Sequence, residues 1–207
     1  MHTLNVDQVR ALLEAAPEWD RCFYRLAAST GMRRGELLAL QWSDVDLETL
    51  RPQLRVVRTL LDVGRGATPV YGEPKTERSR RRIDLSGSLA AALRDQRALI
   101  KETRVRAANV WRNHELVFPT RVGTPKRGLN VTRDLRQALE KAQLPPIRFH
   151  DLRHTAASLM LANNEHPRVV ADMLGHADVG ITLNLYSHST PTLMRDAAER
   201  MAELLGG

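Results

Sequence analysis

Apolar residues recur at helical spacing along most of this chain. Val6, Val9, Leu12 and Leu13 mark a short amphipathic helix that ends near Pro17. Phe23, Leu26 and Ala27 continue a second helix to Gly31, and residues 34–40 read as a third. The texture then changes. "QLRVVRTLLDV" (53–63) and "RRIDLS" (81–86) are β-rich runs flanking a glycine- and proline-containing connection, the pattern of a small antiparallel sheet. Ser86 or Ser88 can cap a long polar helix from about 87 to 108. "ELVFPT" reads as a short extended piece. Residues 129–143, 150–163, 167–175, 179–187 and 190–205 read as helices, with breaks at Pro145-Pro146, Pro167, Gly175 and Pro191. The expected fold is mainly α with one small antiparallel β-sheet (α+β). No repeat, heptad or low-complexity tract divides the chain, so 1–207 reads as a single domain.

Composition narrows the setting. Hydrophobic residues make up 43% of the 207, enough for a core without staples. Cys22 is the only cysteine, which excludes an internal disulfide and a thiolate metal site and fits a reducing compartment. No apolar run approaches the roughly 18 residues of a membrane span. The N-terminus lacks the basic start and apolar centre of a signal peptide. A cytoplasmic protein without a membrane partner is expected. The formal charge is +7, which points to a polyanion. Four of the 31 basic residues are lysines and the other 27 are arginines, whose planar forks suit phosphate.

Four stretches carry candidate chemistry. In "TGMRRGELLAL", Arg33 follows the helix-ending Gly31 and opens the next helix, where backbone amides favour an anion. Glu36, three residues on, can orient it; the plainer reading is a surface Arg–Glu pair. In "FHDLRHT", His150 and Arg153 share a helix face and can bond two oxygens of one phosphate. A helix-face ion pair involving Asp151 or Glu165 is the plainer reading there. In "PKTERSRRRIDL", Lys75 lies in the turn between two strands, either as a solvated charge or as a proton donor. Arg78, Arg80, Arg81 and Arg82 beside it form the most basic run, read as a solvated or phosphate-tracking face that binds DNA. In "LGHADVGITLNLYSH", His176 follows a helix end and Tyr186 comes ten residues later. A phenol with a pKa near 10 is a poor nucleophile unless cations favour the phenolate. Clustering of Arg33, Arg153, His150, His176 and Lys75 would supply that setting, each donor contributing about 3 kcal/mol.

The ordered set resembles the catalytic domain of the tyrosine recombinases, the phage-integrase family. Arg33 stands in Thr-Gly-x-Arg-x-x-Glu, and Lys75 in Lys-Thr-x-x-Ser-x-Arg-x-Ile. His150 and Arg153 stand in His-x-Leu-Arg-His-Thr, and His176 in Leu-Gly-His; Tyr186 follows. The match runs from about residue 4 to the end. The resemblance implies the DNA breaking-rejoining fold and attack by Tyr186 on a DNA phosphodiester to give a 3′-phosphotyrosine. It implies that Arg33 and Arg153 grip the non-bridging oxygens, His176 donates a further hydrogen bond, Lys75 is the general acid, and His150 helps accept the phenolic proton. No metal or cofactor is implied. The implied partner is double-stranded DNA, engaged by a homo-tetramer of the full-length protein, with this fragment alone a monomer. The stripe Met194, Ala198, Met201 and Leu205 resembles a tail that docks on a neighbouring protomer, though packing on its own domain fits equally. The family usually carries N-terminal core-binding and arm-binding domains, and "LNVDQVRALLEAA" looks like the catalytic domain's own first helix. A C-terminal fragment of a longer integrase is therefore expected. Two rivals stay open: a type IB topoisomerase-like nicking-closing enzyme and a non-catalytic DNA-binding remnant.

Overall fold

The computed structural model describes residues 2–61, 70–73, 79–175, 180, 199 and 201–206. Helix α1 (Val6–Ala15) begins where Asn5 accepts from the Gln8 amide while the Gln8 side chain accepts from the Asn5 amide. Helix α2 (Glu18–Thr30) stops at Gly31, whose φ of 62° closes the turn in the left-handed region. Helix α3 (Arg34–Ala39) is short, and a 3-10 turn (Trp42–Asp44) leads into the strands.

Strands β1 (Val45–Asp46), β2 (Gln53–Val56) and β5 (Arg81–Asp84) form an antiparallel sheet in the order β1-β2-β5. Leu54 pairs with Ile83, and both are buried, whereas the adjacent pair Arg55 and Arg82 faces outward. Strands β3 (Thr59–Leu61) and β4 (Val70–Gly72) form a second, separate pair. The 53–63 run is therefore two strands in two sheets, not one strand in one. The second pair packs against α3. Gly35 permits that approach, since a Cβ there would lie 2.4 Å from Thr59 Oγ1 and 2.8 Å from the Leu60 carbonyl oxygen. Tertiary packing, not strand propensity, divides the run.

Helix α4 (Gly87–Ala107) is capped by Ser86, and helices α5 (Gly128–Lys141), α6 (Phe149–Ala162) and α7 (Pro167–Leu174) follow. Pro167 opens α7, where a missing N–H costs nothing, and Gly175 closes it at φ 71°. Of the two last expected helices, 179–187 lies outside the described residues except Gly180, and 190–205 is described at 199 and 201–205. Met201, Leu204 and Leu205 are exposed there.

Helix α2 runs through the centre. Phe23 is 1% exposed and meets the rings of Tyr24, Phe118 and Phe149 with centroids 5.2–5.6 Å apart. Truncating such a residue costs about 3–5 kcal/mol. Burial pushes the Cys22 thiol up to about 12, so this cysteine is a core residue. Leu4, ahead of α1, donates its amide to Thr155 Oγ1 of α6 at 3.1 Å, and Thr155 donates in turn to the Asp151 carbonyl at 2.9 Å. Among the described residues, no helix is long and apolar enough to cross a membrane.

Candidate active site

The site begins where α2 ends. Gly31 turns the chain, and Arg33 stands as the N-cap of α3. Glu36 reaches back from the first turn. Its Oε2 accepts from the Arg33 amide at 3.0 Å, and its Oε1 accepts from Arg33 Nη1 at 2.9 Å. Arg33 keeps 39% of its side chain exposed, whereas Glu36 keeps 2%. The pair is not the wet surface contact that spacing alone suggests: one partner is buried and the other faces out.

Arg153 comes from the middle of α6 and is 4% exposed. Its Nη1 donates to the Gly31 carbonyl at 2.7 Å. Its Nη2 is buried and has no hydrogen-bond partner among the described residues. Burial first, then repulsion from Arg33 and Arg81, pushes Arg153 down to about 9 despite the opposing pull of Glu36. A guanidinium in water holds its proton to above 12, so this one sits in a place that disfavours its charge. An anion at that spot would remove the penalty.

His150 and Arg153 lie on the same helix, as expected, but His150 contacts a different neighbour. Its ring stands edge-on to His154, with centroids 4.8 Å apart. Burial, then His154 and Arg153, lowers the pKa of His150 below its ordinary value. The imidazole is therefore neutral at neutral pH and free to take a proton. Asp151 belongs to another contact: it accepts from Arg148 Nη2 at 3.1 Å and from the Arg148 amide at 2.9 Å. That bond to Arg148 holds the Asp151 carboxyl below the usual range against the effect of burial. The i, i+4 spacing of His154 from His150 is the sequence signal for this contact.

The basic run divides. Arg80 and Arg82 are exposed, and Arg80 pairs with Glu73 at 2.6 Å. Arg81 departs from the solvated face expected for the run, since its side chain is 6% exposed. Its Nη2 donates to Glu36 Oε2 at 2.9 Å, and its Nη1 to Glu36 Oε1 at 3.3 Å and to the Ser79 carbonyl at 3.1 Å. Its Nε donates to the Met173 carbonyl at 2.7 Å. The reason is strand alternation: on β5, Arg81 and Ile83 face in while Arg82 and Asp84 face out. Burial raises the Glu36 carboxyl, but Arg81 and then Arg33 outweigh it and hold the group below its ordinary value.

Arg33, Glu36, Arg81 and Arg153 thus come together, with His150 on the helix that carries Arg153. Three guanidiniums face one carboxylate, an excess of two positive charges. Such a cluster suits an oxyanion that develops charge. Lys75, Arg78, His176 and Tyr186 lie outside the described residues. Among the described residues, no group of three or more His, Cys, Asp or Glu side chains is arranged to hold a metal.

The phage integrase family profile matches residues 2–192. A tyrosine recombinase XerC-like protein of Caldanaerobacter subterraneus subsp. tengcongensis is 29% identical over 215 residues, covering 99% of this chain and 54% of that protein. The ICEBs1 integrase of Bacillus subtilis is 31% identical over 189 residues, covering 89% of this chain and 49% of that protein. The chain spans about half the length of these curated relatives. Among solved structures, the Tn1549 transposon integrase bound to transposon right end DNA superposes with a TM-score of 0.79 at 22% identity, covering 97% of this chain and 66% of that one. The XerA recombinase does so at 0.70 and 24% identity, covering 97% and 63%. These structures share the fold of tyrosine-recombinase catalytic domains, and the chain belongs to the phage integrase family.

Proposed function

We propose that the chain is the catalytic domain, over 1–207, of a site-specific DNA recombinase that cuts and rejoins strands through a covalent 3′-phosphotyrosine. The observation that carries this reading is Arg153, buried beside Arg33 with Nη2 unpaired among the described residues. A non-bridging phosphate oxygen is the partner that would satisfy that nitrogen and offset the crowding of charge.

In this reading, Tyr186 Oη attacks the scissile phosphorus, forming the Oη–P bond as the P–O5′ bond breaks. His150 takes the phenolic proton, and its lowered pKa leaves it neutral and able to do so. Lys75 gives a proton to the leaving O5′, and His176 adds a hydrogen bond to the phosphate. Arg33 and Arg153 supply the positive charge that a metal ion supplies in other phosphoryl transferases, so the step is metal-independent. The phosphotyrosine conserves the energy of the broken bond, and a 5′-hydroxyl from a second strand reverses the step. The whole protein, with DNA-clamping domains ahead of this one, acts in the cytoplasm as a tetramer on paired duplex sites; this chain alone is a monomer.

A nicked suicide substrate tests the reading. The chain should form a covalent protein–DNA adduct that persists in EDTA and disappears with Tyr186→Phe. An adduct that survives Tyr186→Phe, or one lost on chelation, overturns it.

A further inference from the structure

We infer that Arg81 is a positioning residue that ties the carboxylate holding Arg33 to the last turn of α7. One buried guanidinium spans both, so the arginine at the start of α3 and the end of α7 are set by the same side chain. The inference rests on the proposed function of the site.

The last carbonyls of a helix lack partners within it. In α7, Gly175 donates to the carbonyls of Ala171 and Asp172. The Met173 carbonyl is filled from outside, by Arg81 Nε at 2.7 Å. The neighbouring residue is held as well: a Cβ on Gly31 would lie 2.2 Å from Leu174 Cδ2, so Leu174 rests on the glycine. Gly31 also gives its carbonyl to Arg153. The end of α7 is thus joined to Arg33 through Arg81 and Glu36, and to Arg153 through Gly31. His176 follows Leu174 by two residues in the sequence.

The geometry separates this role from phosphate tracking. Arg81 makes four contacts within the fold from five N–H groups and is 6% exposed. Glu36 takes two contacts from Arg81 and two from Arg33, which fills its lone pairs. Lysine has the charge but no fork, so it cannot reach the carboxylate and the Met173 carbonyl together.

The test compares the 207-residue chain with its Arg81→Met and Arg81→Lys variants. Without DNA, amide hydrogen exchange in the last turn of α7 should quicken by about tenfold in both variants while α1 keeps its protection. Unchanged protection at 173–175 overturns the inference, and so does full restoration by lysine, which would mean that charge alone matters. On the nicked substrate, adduct formation at saturating DNA should slow by about 30-fold while affinity stays within about twofold. Weaker binding with a salt slope smaller by about one, and a normal rate at saturation, would make Arg81 a phosphate contact instead. If Arg81→Met does not fold, Arg81→Lys carries both comparisons. A parent chain that forms no adduct would sink the proposed function, and the exchange measurement would still decide the role of Arg81.

Discussion

At the start of α3, Arg33 leans on a carboxylate and keeps 39% of its side chain exposed; in the middle of α6, Arg153 leans on a carbonyl and is 4% exposed. The two arginines flank the same site with opposite debts to the fold. Glu36 neutralises Arg33, so a phosphate arriving there shares the guanidinium with a neighbour. Among the described residues no carboxylate hydrogen-bonds to Arg153: the Gly31 carbonyl orients it without cancelling its charge, and the pull of Glu36 offsets its burial only in part. The burden of desolvated charge sits on α6 before any substrate binds. An arginine held by a carbonyl is poised for an anion, and one held by a carboxylate is anchored first.

The largest effect should come from the carbonyl-held partner. Arg153→Met should slow adduct formation by about 10³-fold, the scale of a lost oxyanion donor. It should leave the DNA-free melting temperature level or higher, because a crowded buried charge disappears. A fall of more than about 5 °C in a thermal melt would show that Arg153 is a structural residue first.

Glu36→Gln attacks the anchored side. It leaves Arg81 buried without its carboxylate and should cost about 3 kcal/mol in urea denaturation. The pH dependence has a definite sign. The folded Glu36 carboxyl lies below its ordinary value, so its stabilising effect is present above the usual carboxylate range and is lost as pH falls through the depressed value. Parent and variant stabilities should therefore converge on acidification, and parallel curves would show that the pairing is not ionic. Gly31→Ala probes the link between the two sides. It puts a side chain at φ 62° and against Leu174, for a loss of about 2 kcal/mol by the same method. A loss under about 0.5 kcal/mol would mean that α7 shifts freely away from the glycine.

Much of this was legible in the sequence because it is written in local chemistry. Gly31 and Gly175 end helices through backbone freedom, and Pro167 and Ser86 begin them, so those boundaries fall within a residue or two of expectation. The juxtaposition of Arg33 with Glu36 follows from a single helical turn. The split of 53–63 into β2 and β3 did not show, because it depends on Gly35 admitting Thr59 from across the fold. The inward turn of Arg81 was readable in principle. Ile83 and Leu85 are core residues at two-residue spacing, and the same alternation carries Arg81 to their face. A run of like charges masked that period. The Nη2 of Arg153, unpaired among the described residues, left no trace in the sequence, since it is a property of how the end of α2, α3, β5 and α6 meet.

The bond from the Leu4 amide to Thr155 bears on how this chain is cut and grafted. The same hydroxyl donates to the Asp151 carbonyl one helical turn back, on the stretch of α6 that carries His150 and Arg153. The peptide ahead of α1 is therefore a strap on α6. In a chimera that joins this unit to a foreign DNA-gripping module, the seam belongs ahead of Leu4. A junction that replaces Leu4 with proline removes the donor and leaves α6 without its strap.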